Sequence, residues 1–243
     1  MIEVGFGAGT DFIQWLRAGA RASGIDLTQE ALENVQNRIG VYGLPVPEKL
    51  QVGDAEALPF GSDFFDIGYS FGVLHHTPDT EKALSELVRV IRPGGQLKVM
   101  LYNRRSIFVI NRWVRFCLLK GRPWRTLNWV LWNTVESLGT KGYTRGELLG
   151  IMRRLPLCNL RICTEVTSGD YLSSAAFPPL NWLYRSALWL AGVSYDWAAG
   201  SYRLRINDPV EAGRRKGPGK SHLGPTLAGN PLGFFHCISA QKT

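Results

Sequence analysis

Three glycines on alternate positions, Gly5, Gly7 and Gly9, follow the short run Ile2-Glu3-Val4. Glycine enters backbone conformations closed to other residues and lets a ligand approach the main chain, so this stretch could cradle a nucleoside or phosphate group. A dinucleotide fingerprint reads G-x-G-x-x-G; started at Gly5 it requires glycine at position 10, where Thr10 stands. The pattern here is E-x-G-x-G-x-G, and plain helix–strand packing is the other use of such a turn. Asp26 follows Gly24-Ile25 and is placed to accept both ribose hydroxyls of an adenosine; its alternative use is as an acid favoured at a helix start. Asp54 could accept from an adenine amino group while Leu27 and Ala55 flank the ring. The backbone carbonyls at Ser70 and Phe71 could hold an amine, and Glu3 would orient the glycine loop or reach that amine through water. His75 and His76 come next, and an unperturbed imidazole titrates near pH 6.5, so His75 is a candidate general base. Packing against the following helix is the other role open to this pair.

These residues need a scaffold that gathers strand ends at one edge. Strand and helix patterns alternate through the first hundred residues, the rhythm of a doubly wound parallel α/β sheet. The expected elements are strand 2–4, helix 10–17, strand 22–25, a helix from Thr28 as N-cap to Ile39, and strand 50–52. Strand 65–70 and a helix over 79–91 follow, with Leu84, Leu87, Val88 and Ile91 on one helix face. Arg92-Pro93-Gly94-Gly95 reads as a turn before strand 96–101. Ligands bind such sheets outside the carboxyl ends of the strands, where Gly5, Asp26, Asp54 and Ser70 all fall.

With 243 residues the chain has length for one large or two small domains. Its hydrophobic fraction of 45% and charged fraction of 20% are those of a folded protein. Four cysteines without a C-x-x-C pair read as buried thiols of a reducing compartment, and neither a secretory leader nor a spanning run is expected. Charge divides the chain sharply: residues 1–86 carry 13 acids against 5 bases, and residues 87–243 carry 23 bases against 7 acids. An anionic partner for the second half, or a solvated basic face, accounts for that split.

The runs Asp54-Ala55-Glu56-Ala57-Leu58-Pro59-Phe60, Phe65-Asp66, Val73-Leu74-His75-His76 and Leu87-Val88-Arg89-Val90-Ile91-Arg92-Pro93-Gly94-Gly95 stand in this order behind the glycine loop. Together they resemble class I S-adenosyl-L-methionine-dependent methyltransferases, of the small-molecule type similar to ubiquinone/menaquinone-biosynthesis methyltransferases. The resemblance covers about residues 2–102. It implies a Rossmann-like seven-stranded sheet whose last strand is antiparallel, supplied here by residues 234–240. It also implies a methyl transfer from S-adenosyl-L-methionine, held by Glu3, Gly5, Gly7, Gly9, Asp26, Leu27, Asp54, Ala55 and Ser70, with no metal. The family carries further residues before strand one, so the chain reads as an N-terminally shortened version. A non-catalytic module that binds a membrane surface or a protein partner is the alternative function.

The second half departs from the family's motifs. Residues 104–138 are long, basic and aromatic, Thr144-Arg145-Gly146-Glu147 fits a capping box, and residues 159–166 read as strand six. A second irregular apolar segment spans 171–202, and residues 213–233 read as loop. The expected organisation is a cofactor-binding core over 1–103, a helical insertion or lid over 104–142, a core helix and strand over 143–167, a second insertion over 168–232 and a final strand over 233–243. The aromatic, basic part would line an apolar pocket, lie on an anionic membrane through residues 104–132, or form the core of a subdomain. Nucleic acid is disfavoured as a partner, because strand four ends in Ser70-Phe71-Gly72 rather than in the Asp/Asn-Pro-Pro-aromatic run of amino-methylating nucleic-acid enzymes. The expected acceptor is a small, apolar or lipid-like molecule, and the expected location is cytoplasmic, peripheral at the inner membrane face.

Overall fold

The computed structural model describes residues 1–167 and 226–243, with short pieces at 182–183, 186, 193–196 and 201–204. The chain divides into two compact units. The first holds Met1–Met100, Ile151–Leu160 and Ile238–Thr243; the second holds Leu101–Gly150 and Arg161–Cys237.

The first unit alternates strand and helix as its hydrophobic periods dictate: β1 (Ile2–Val4), α1 (Thr10–Arg17), β2 (Ser23–Asp26), α2 (Gln29–Val41), β3 (Lys49–Val52), β4 (Phe65–Phe71), α3 (Thr80–Val90) and β5 (Ile91–Tyr102). Beyond these come α4 (Ile107–Phe116), α5 (Leu127–Thr134), α6 (Arg145–Met152), β6 (Leu157–Thr167), β7 (Val193–Asp196), β8 (Ser201–Leu204), β9 (Thr226–Gly229) and β10 (Phe235–Lys242). The sheet order begins β3-β2-β1-β4-β5-β10-β6, with β1 parallel to β2 and β4, and β10 antiparallel between β5 and β6. These seven strands form the mixed sheet that the resemblance implied, and β8, β7 and β9 extend it to ten strands.

On one face of the sheet, Phe12 and Leu16 of α1 and Val35 and Ile39 of α2 bury against Phe6 and Ala22. On α3, Leu84, Leu87 and Val88 are wholly or nearly wholly buried. The expected caps are made: the Thr28 hydroxyl accepts from the Ala31 amide at 3.2 Å, and the Asp79 carboxylate accepts from the Lys82 amide at 3.0 Å.

Several boundaries move. Strand two runs 23–26, helix three ends at Val90, and the last strand runs 235–242. The turn expected at Arg92-Pro93-Gly94-Gly95 lies inside β5. There Phe65 pairs with Ile91 and Ile67 with Gln96, so the extra residues bulge out of the ladder, with Gly94 at φ +78°. In the stretch expected as loop over 213–233, residues 226–229 form β9, parallel to β6; residues 213–225 lie outside the described residues. Most of the expected second insertion, 168–232, lies outside them too.

In the second unit the basic aromatic stretch folds into α4, a short 3-10 turn at Leu118–Lys120 and α5. Tyr102 stacks on Phe234 with ring centroids 4.2 Å apart, and its hydroxyl donates to Glu136 at 2.6 Å. The Thr144–Glu147 capping box closes in both directions: Glu147 accepts from the Thr144 amide at 2.7 Å, and the Thr144 hydroxyl accepts from the Glu147 amide at 3.3 Å. β6 pairs with β8, which closes a hairpin with β7. Among the described residues no helix is long and apolar enough to cross a membrane.

Candidate active site

The carboxyl ends of β1, β2 and β4 bring the glycine loop, Asp26 and Ser70 to one edge of the first unit, and the loop that leaves β3 carries Asp54. The glycine loop turns through left-handed backbone at Gly5 (φ +79°), Gly7 (φ +49°) and Gly9 (φ +76°). Their roles differ. A Cβ on Gly5 would stand 2.3 Å from a Val73 methyl, and one on Gly9 would stand 2.5 Å from a Val35 methyl, so these two are required by packing. A Cβ on Gly7 would meet no heavy atom within 4 Å. The first and third glycines therefore let the loop sit down, and the middle one exposes bare backbone.

Asp26 closes the loop from beside it. Its Oδ2 accepts from the Gly7 amide at 2.8 Å, and its Oδ1 accepts from the Thr28 amide at 3.1 Å and the Thr28 hydroxyl at 3.2 Å. Leu27, the next residue, is 74% exposed, an apolar side chain held out beside a polar turn. Asp54 forms a tight local turn, accepting from the Glu56 amide at 2.8 Å. The loop around Ala55 is fastened by an Arg89–Glu86 clamp on α3. Glu86 accepts from the Leu58 amide at 2.9 Å, and Arg89 donates to the Leu58 and Phe60 carbonyls while pairing with Glu86 at 2.7 Å. The Ser70 side chain turns inward, donating to the Val4 carbonyl at 2.8 Å, and thereby ties β4 to β1.

Glu3 is the anomalous member. It is only 3% exposed, and among the described residues its Oε2 has no hydrogen-bond partner. Burial, then the negative charges of Asp11 and Asp26, push its carboxyl up to about 8 from an ordinary 4.5. A buried acid of this kind either keeps its proton or takes a cation. Asp11 and Tyr69 were not singled out from the sequence. Asp11 opens α1 and accepts from the Tyr69 hydroxyl at 2.6 Å, which places a second acid near Glu3. The available signal was the tyrosine one residue before Ser70, near the carboxyl end of β4.

His75 is fully buried in the 3-10 turn after β4, with its ring centroid 4.3 Å from that of half-buried His76.

The first unit thus joins a Rossmann-like sheet to an acid-preceded glycine loop and to acids at the next two strand ends. Residues 2–99 match the family model described as a methyltransferase domain. Over this stretch the chain is similar to class I S-adenosylmethionine-dependent methyltransferases, as the motifs implied. An uncharacterized protein of Mycobacterium tuberculosis is 35% identical over 108 residues, which is 44% of this chain and 39% of that protein. The phthiotriol/phenolphthiotriol dimycocerosates methyltransferase of Mycobacterium leprae is 33% identical over 96 residues, 40% of this chain and 34% of that enzyme. The chain thus spans well under half the length of these curated relatives. A solved S-adenosylmethionine-dependent methyltransferase of Thermotoga maritima, described as a possible histamine N-methyltransferase, shares the fold with a TM-score of 0.55 and 16% identity. That likeness covers 100% of this chain and 81% of that one.

Proposed function

We propose that the chain transfers a methyl group from S-adenosyl-L-methionine to a small, apolar or lipid-like acceptor. The observation that carries this reading is the buried Glu3 carboxylate with an unpartnered oxygen beside a glycine loop whose middle member leaves its backbone open. A ligand with a cationic amino-acid end and a nucleoside end suits both features, and S-adenosylmethionine is such a ligand. When bound, it supplies a sulfonium-activated methyl.

The chain's own residues then have few tasks. Glu3 would neutralise the ligand's amine, Gly5, Gly7 and Gly9 would let the amino-acid end lie along the loop, and the Ser70 carbonyl would accept from that amine. Asp26 would accept from the ribose hydroxyls, Asp54 from the adenine amine, and Leu27 and Ala55 would cover the ring. Positioning the methyl in line with the acceptor can contribute roughly 7–11 kcal/mol, so little further chemistry is asked of side chains. Where the acceptor loses a proton, His75 would take it.

A lipid-like acceptor is supported by the relative from Mycobacterium leprae, whose name places dimycocerosates among its substrates, and by the tryptophans of the second unit. Residues 104–132, rich in Arg and Trp and free of acids, would bring the protein to a membrane surface as a peripheral contact. Calorimetric titration with S-adenosylhomocysteine tests the central reading. Micromolar binding to the parent, lost in Glu3→Gln, is the expected result, and no binding to the parent would sink it.

A further inference from the structure

Between α4 and α5 the chain exposes every residue from 118 to 126. Exposed loops are ordinarily polar, yet Leu118 is 46%, Leu119 61% and Trp124 71% exposed. Lys120 and Arg122 stand between them, Arg125 follows Trp124, and no Asp or Glu occurs from residue 87 to residue 135. Apolar side chains alternating with cations, with no acid to compensate, are costly to leave in water unless another surface covers them.

This loop is not a slack one. The Lys120 and Arg122 amides both donate to the Cys117 carbonyl, at 3.2 and 2.8 Å, and Gly121 adopts left-handed backbone (φ +67°) to close the turn. The Trp113 indole of α4 donates to the Arg125 carbonyl at 2.6 Å, and the Arg125 guanidinium lies 4.8 Å over the Trp129 ring of α5. Thr126 then caps α5 through the Trp129 amide at 3.2 Å. Both ends of the loop are fixed by hydrogen bonds to helices, so little entropy is lost when its tip is covered.

We infer that loop 118–125 docks the protein onto an anionic lipid surface. Leu118, Leu119 and Trp124 enter the headgroup–acyl boundary, and Lys120 and Arg122 meet the lipid phosphates. The inference rests on the reading of residues 104–132 as a membrane contact and narrows it to one loop. Charge complementarity selects an anionic partner, and the two leucines select lipid over nucleic acid. A polynucleotide offers phosphates and stacking faces, to which aliphatic side chains contribute little, whereas a bilayer rewards aliphatic and indole burial together with about fivefold in partitioning per cation.

The test is flotation of the full chain with vesicles of phosphatidylcholine alone and with about 30% phosphatidylglycerol. Two paired variants accompany it, Leu119→Ser with Trp124→Ser, and Lys120→Gln with Arg122→Gln. All four positions are exposed, and unchanged thermal unfolding verifies that each variant is folded. The parent should float with the anionic vesicles and not with the neutral ones. The apolar pair and the cation pair should each lower recovery by roughly tenfold or more, the cation pair alone losing its sensitivity to salt. If the parent floats and both pairs float as well as it does, the loop assignment falls while the wider membrane contact stands. If the parent floats with neither vesicle, both fall. If the parent floats with neither vesicle and binds polyuridylate with an affinity that the apolar pair leaves unchanged, the surface is a nucleic-acid site instead. Titration with S-adenosylhomocysteine reports separately on the methyltransferase reading, because the loop lies outside residues 2–99.

Discussion

The Asp26 carboxylate accepts a hydrogen bond from the Gly7 amide at 2.8 Å, joining the carboxyl end of β2 to the one glycine of the loop with open space above it. The same carboxylate caps the turn into α2 through Thr28. Asp26 thus has a structural duty and a proposed ligand duty, and the two can be separated. Asp26→Asn keeps one acceptor oxygen, so it gives up either the Gly7 or the Thr28 bonds as well as the charge-assisted bonds to a ribose diol. The expected outcome is a chain that still folds, destabilised by about 1–3 kcal/mol, with at least a tenfold loss of S-adenosylhomocysteine affinity by calorimetry on the folded variant. Equal affinity would remove Asp26 from the ribose site.

Glu3 makes stability fall as pH rises. Its carboxyl titrates near 8 in the folded state against an ordinary 4.5. Between those values the unfolded chain binds fewer protons than the folded one, so each step up in pH favours unfolding, by a few kcal/mol in all. Glu3→Gln should lose the fall in melting temperature from about pH 6.5 to pH 8, the part of that window in which His236 adds no slope of its own, and above pH 8 it should be more stable than the parent. Its affinity for the cationic ligand should nevertheless be lower. A parent whose melting temperature does not fall between pH 6.5 and pH 8 would show that the Glu3 oxygen is not buried unpartnered.

His236 acts in the opposite sense and in the other unit. Its ring lies between the Thr164 hydroxyl, 2.8 Å from Nδ1, and the Tyr143 carbonyl, 3.1 Å from Nε2. Arg145 donates to the same Thr164 hydroxyl at 2.7 Å. Burial, together with the Arg145 charge, holds the imidazole down to about 4, and the Tyr143 contact offsets only part of this. From about 4 to 6.5 the unfolded chain binds the extra proton, so this histidine makes stability rise with pH over that range. His236→Gln should flatten the acid limb of the unfolding curve without touching the fall toward pH 8 that Glu3 produces. An unaltered acid limb would mean that the ring is hydrated and protonates freely.

The frame of the first unit was legible because its signals are local. Thr28 and Thr144-x-x-Glu147 cap the helices they precede, and the glycine loop turns at the residues that permit it. What was not legible depends on partners distant in sequence. Arg92-Pro93-Gly94-Gly95 carries every mark of a turn, but pairing of Ile91 with Phe65 and of Gln96 with Ile67 draws both of its flanks into β5. Glu3 reads as an ordinary acid until burial and the neighbouring Asp11 and Asp26 make it exceptional. The Arg145–Thr164–His236 chain joins residues that no short spacing connects.

The glycine loop provides the sharpest separation of fold from function. Gly5→Ala forces a methyl to within 2.3 Å of Val73 and also keeps an L residue at φ +79°. Close-packed interiors do not absorb such an overlap, and a destabilisation of about 2–4 kcal/mol is expected, from overpacking and left-handed backbone together. Gly7→Ala meets nothing within 4 Å, so only the backbone conformation at φ +49° is penalised, by about 1 kcal/mol. Its new methyl projects into the space a ligand would need in order to reach the loop backbone. Chemical denaturation should therefore rank the variants Gly7→Ala above Gly5→Ala in stability. Calorimetry on the folded Gly7→Ala chain should show S-adenosylhomocysteine affinity reduced by more than tenfold. A Gly7→Ala protein that binds as the parent does would move the ligand off this loop, and with it the roles proposed for Glu3 and Asp26.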